Sequence, residues 1–106
     1  MKKHKEVLDK VLIKHGIEFT DSLAQDMFYS HMNALWDRLE NKTLLEDIPE
    51  MYEEILKEID SKSMGISEEI VLLFLDEYKL DYNMMEIVLV ATHIQMQLER
   101  EDALNG

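Results

Sequence analysis

The stretch Asn83–Leu98, NMMEIVLVATHIQMQL, decides the fold of this 106-residue chain. Asn83, with Glu86 three residues on, is close to a capping box, which satisfies the free N–H groups at a helix start. From Ile87 to Ala91 the residues are apolar nearly all round the helix that follows. A helix without a polar face belongs in the middle of a bundle. The helix is expected to run at least to Leu98, and the polar tail 99–106 to fray.

Four further helices are expected around it. The first covers about Lys3 to His15, with Val7, Leu8, Val11 and Leu12 at helical spacing and Gly16 as its stop. The second starts after Thr20 or Asp21, either a good N-cap. It carries Leu23, Met27, Phe28, His31, Leu35 and Leu39 on one face and ends near Asn41. The third starts at Pro49, after Asp47 or Ile48, with an apolar stripe of Ile48, Met51, Tyr52, Ile55, Leu56 and Ile59. Glu50, Glu53, Glu54 and Glu58 make its opposite, solvated face. Gly65 is read as a break, after which Ser67 caps a fourth helix that buries Ile70, Val71, Phe74 and Leu75 and ends near Leu80. The fold class expected is all-α, a compact bundle of about five helices forming one domain over residues 1–106. Few breakers (3 glycines, 1 proline) and a 46% hydrophobic share suit it.

Composition excludes several functions. With 11 basic against 23 acidic residues the formal charge is -12. The one basic cluster, Lys2, Lys3 and Lys5 with His4, reads as a solvated helix end, so direct nucleic-acid binding is not expected. No apolar run approaches the roughly 20 residues of a membrane span, and the start lacks a signal peptide's apolar stretch. The absence of cysteine removes disulfides and thiolate metal sites and suits the cytoplasm.

Two histidines lie on apolar helix faces. His31 has Met27, Phe28, Ala34 and Leu35 one turn away. His93 has Glu86, Leu89, Val90, Met96 and Gln97 on its face. Such residues are commonly core histidines with one satisfied hydrogen bond, but two on long helices could also meet. Glu86 reads as part of the capping box, and Arg38 as one half of an ordinary salt bridge. His4 and His15, near the ends of the first helix, are expected to be exposed. No nucleophile elbow, Gly-rich phosphate loop or H-E-x-x-H motif is present, so no enzyme is expected. Ser30 and His31 point about 100° apart and make no nucleophile–base pair. His31, His93 and Glu86 do not share a helical turn, so their spacing carries no metal signal, and no cofactor is expected.

The segment Ser30–Arg38, SHMNALWDR, resembles the first histidine motif of PTS regulation domains (PRDs): a helical histidine with an arginine seven residues later. Glu86–Ile94, EIVLVATHI, resembles the second, in which a glutamate precedes a histidine by seven. The resemblance spans roughly Thr20 to Gln97, most of the chain. It implies the family's all-helical, PRD-like fold and a role in bacterial carbohydrate-linked transcription regulation. It makes His31 and His93 the candidate phosphoacceptors, with Arg38 and Glu86 at the accompanying motif positions. It further implies HPr or a sugar-specific enzyme II as phosphate donor, a homodimer, and a phosphorylation-dependent change in association. The family's domains usually occur in tandem beside an effector domain. This sequence reads as a stand-alone single copy, expected to act through a separate effector protein. The alternatives are a non-phosphorylated helical module that dimerises or docks through a helix face, and a small metal-binding or catalytic helical protein.

Overall fold

The computed structural model describes residues 2–19, 21–46 and 48–105, with side chains from residue 3 to residue 100. Among them are five helices and no strand: α1 (Lys2–Lys14), α2 (Ser22–Asn41), α3 (Pro49–Glu58), α4 (Ser61–Glu77) and α5 (Met84–Asn105). As its apolar pattern predicts, α5 is the central helix. It packs against α4, α2 and α3, and Ile87, Val88, Val90, Ala91 and Ile94 are fully covered. Leu8, Val11 and Leu12 bury the inner face of α1, which lies against α4. No helix among the described residues is long and apolar enough to cross a membrane.

Local chemistry sets most helix ends. Gly16 takes φ +70°, a left-handed conformation open to a residue without Cβ, and lets the Ile17 N–H donate to the Leu12 carbonyl at 2.9 Å. Asp21 caps α2, its carboxylate accepting from the Leu23 N–H at 2.9 Å; the alternative cap, Thr20, lies outside the described residues. Lys42 closes α2 with φ 57°, its N–H directed at the Arg38 and Leu39 carbonyls. Ile48 precedes Pro49 at the start of α3; Asp47 lies outside the described residues.

Several expectations are corrected. Helix α4 starts at Ser61, not at Ser67: Asp60 caps it by accepting from the Ser63 N–H at 2.7 Å. Gly65 is thus inside the helix, and the buried Ser67 hydroxyl donates across to the Ile87 carbonyl. One interior glycine costs only about 1 kcal/mol, which the packing of α4 on α5 outweighs. On α2 the covered row is Phe28, Met32, Leu35, Trp36 and Leu39. Leu23 and Met27, expected on that face, are 65% and 52% exposed, because they continue the row of His31 along the rim of a cleft. The α3 stripe is at most half-buried, since α3 packs chiefly on α5. His4 is buried rather than exposed: it stacks on Trp36, meets Phe74 edge-on, and has Nε2 3.2 Å from the Tyr78 hydroxyl. It lies one turn before Leu8 on the covered face of α1. His15 is half-buried, 3.1 Å from Glu69. The backbone of α5 is helical to Asn105.

Candidate functional site

Seven residues are two helical turns, a rise of about 10.5 Å that returns to nearly the same face. His31 and Arg38 therefore share one line on α2, and Glu86 and His93 share one on α5. The helices lay these lines together in opposite directions. His31 meets His93 with ring centroids 4.4 Å apart and planes inclined at 38°. Two turns away, Arg38 meets Glu86, with Nη2 on Oε1 at 2.6 Å and Nε on Oε2 at 2.8 Å. All four sequence-predicted residues thus stand on one helix seam, as two rungs of a ladder.

The lower rung is deep. Glu86 has no solvent exposure, and its carboxylate also accepts from the Leu45 N–H at 3.0 Å. The Asn83 amide donates to the Leu45 carbonyl at 2.8 Å, and Asn83 Oδ1 accepts from the Glu86 N–H at 3.0 Å. The expected capping box is therefore half formed. Asn83 caps α5, but the Glu86 carboxylate crosses to α2 instead of returning to Asn83. A carboxylate taken fully out of water needs a bidentate cation and further donors to remain charged, and Arg38 with Leu45 meets that need. The sequence offers no signal for Leu45, because it contributes only its backbone.

The upper rung is half-buried and electrically different. Burial first, then His93 and the Arg38 charge, push the His31 ring down to about 4, with Glu86 opposing. Burial likewise lowers His93. Both imidazoles are thereby kept neutral near pH 7, the form with a free nucleophilic lone pair. His31 Nε2 is sealed from solvent with no hydrogen-bond partner. Two cavities flank the pair and share His93 and Met27 as walls: one of about 360 Å3 that includes Leu23, Phe28 and Met96, another of about 480 Å3 that includes Asp26, Ser30 and His31. The cavities therefore open His93 and part of the His31 ring to the outside, but not the sealed His31 Nε2.

Among the described residues no group of three or more histidine and carboxylate side chains converges to hold a metal ion. No family model, curated protein or solved structure matches the chain.

Proposed function

We propose that this chain is a phosphohistidine-regulated domain of the PRD kind, acting in bacterial carbohydrate phosphotransferase signalling and transcription regulation. His31 and His93 are its phosphoacceptors, HPr or an enzyme II its donor. The observation that carries the reading is the pairing of two neutral imidazoles, 4.4 Å apart, along the walls of two adjoining open clefts. A phosphoryl group there adds nearly two negative charges between two helices of a chain already at -12. That charge is stabilised only by moving a cation toward it or by opening the seam, and either changes how the protein associates with a second copy or a separate effector. Arg38, whose charge already acts on His31, is the cation within the ladder. The protein works as a switch and not as an enzyme.

The test is phosphoryl transfer from phosphoenolpyruvate through enzyme I and HPr, or from an enzyme II domain, followed by mapping of the label. Acid-labile, alkali-stable labelling at His31 and His93 is expected, and its loss in His31→Ala/His93→Ala. Labelling that survives in the double variant, or no labelling by any of these donors, rejects the reading.

A further inference from the structure

We infer that Leu23, Met27 and Met96, an exposed apolar collar around the histidine cleft, form the docking surface for the protein that donates phosphate, and that the donor's docking face is apolar and basic. The inference rests on the phosphoacceptor reading above.

The collar leads to the histidines. Leu23, Met27 and His31 follow one another at one-turn intervals on α2, and Met96 lies one turn beyond His93 on α5. The three apolar side chains are 65%, 52% and 52% exposed, and all line the cavities that meet at His93. Exposed apolar patches beside a recessed site mark contact surfaces, and methionine adapts to a partner's shape. Both rings are half-buried, so a protein donor must reach them with a protruding side chain whose surroundings rest on this rim.

Charge chooses the partner. The chain carries -12 overall. Asp26 and Glu99 line the cavities, and the lining cation Arg100 is already paired with Asp21 at 2.6 Å. A second copy would bring the same acidity against the rim, whereas a basic face is attracted to it and steered on encounter.

In the transfer, the lone pair of the neutral acceptor nitrogen attacks phosphorus. The donor's P–N bond breaks and its electron pair returns to the donor imidazole. The acceptor ring loses the proton on its other nitrogen, and the donor ring takes one up. No further reactant is required.

The experiment compares two phosphoryl donors on the full chain: phosphorylated HPr or an enzyme II domain, which must dock, and phosphoramidate, which need not. In the Leu23→Ala/Met27→Ala/Met96→Ala variant, transfer from the protein donor is expected to fall at least about tenfold, as for truncated contact residues, while phosphoramidate labelling stays within about twofold. Asp26→Lys is expected to lower the protein-donor rate and flatten its salt dependence. Unchanged protein-donor transfer in the triple variant overturns the inference. So does an equal fall with both donors, which would place the effect in the chemistry. Lost self-association with transfer retained, measured by sedimentation, assigns the collar to a second copy and also overturns it. Labelling of the unmodified chain by phosphoramidate with no active protein donor rejects the inference together with HPr or an enzyme II as donor, whereas no labelling by any donor, phosphoramidate included, rejects His31 and His93 as phosphoacceptors.

Discussion

Glu86 has no exposed surface, yet three donors converge on its carboxylate. Removing the guanidinium leaves a buried charge held by one backbone N–H. Arg38→Met is therefore expected to destabilise the fold by about 3–5 kcal/mol, read from the urea midpoint. Glu86→Gln keeps a hydrogen-bonding side chain and should cost less. His31 supplies a second expectation. Its folded value near 4 lies below the ordinary 6.5, so between those pH values the unfolded chain binds more protons than the native one. Stability is thus fully present above about 6.5 and is lost as pH falls toward 4. Discounted for partial burial, the loss is about 2 kcal/mol, measured as the difference between the chain and His31→Asn across that range. A pH-independent difference would contradict it. Much of this site is legible in the sequence: the seven-residue spacings by themselves align His31 with Arg38 and Glu86 with His93. The cross-helix partners are not legible, because the approach of α2 to α5 is a tertiary property. The Leu45 N–H leaves no trace in side-chain identity. The lysine neighbours of His4 suggest a solvated end, although its spacing to Leu8 and Val11 puts it on the apolar face, and the spacing prevails.

At the scale of elements, α4 shows why a sequence can name a helix and still miss its start. Gly65 and Ser67 look like a break and a cap, and both residue types favour those roles. The decisive residue is Asp60, two turns ahead of Ser67, whose carboxylate takes the Ser63 N–H. The α3 stripe is also legible, but its depth is not, since amphipathicity says which face turns inward and not how many neighbours cover it. The two glycines Gly16 and Gly65 give opposite expectations. A Cβ at Gly65 would meet nothing within 4 Å, so Gly65→Ala should stabilise the protein by about 0.5–1 kcal/mol through lower unfolded-state entropy. Gly16 has equally free space but φ +70°, and Gly16→Ala should destabilise by about 1 kcal/mol. Thermal unfolding of the two variants should move the midpoint up and down respectively. A rise for both would mean that the α1 terminus relaxes its left-handed turn.

Over the whole molecule, charge works against compactness. A formal -12 is held within a radius of gyration of 13.5 Å, whereas an unfolded chain of this length spreads to roughly 33 Å. Smeared over spheres of those sizes in water, the like charges disfavour the folded state by several kcal/mol at low salt. Salt weakens that repulsion once the Debye length drops to about 10 Å or less. It also weakens the surface ion pairs Lys5–Asp9, Lys14–Glu69, Lys57–Glu54 and Arg100–Asp21, but such pairs contribute only about 0–1 kcal/mol each. The Arg38–Glu86 pair is shielded from salt by its burial. Repulsion is the larger quantity, so raising sodium chloride from about 20 mM to about 300 mM should increase stability by about 2 kcal/mol. The proposed phosphorylation would deepen the charge and should steepen this dependence. A urea midpoint that falls as salt rises would show that the ion pairs outweigh the repulsion. A phosphorylated chain with the same salt slope as the unmodified one would contradict this expectation, because Arg38 is already counted in the -12 and cannot cancel the added charge.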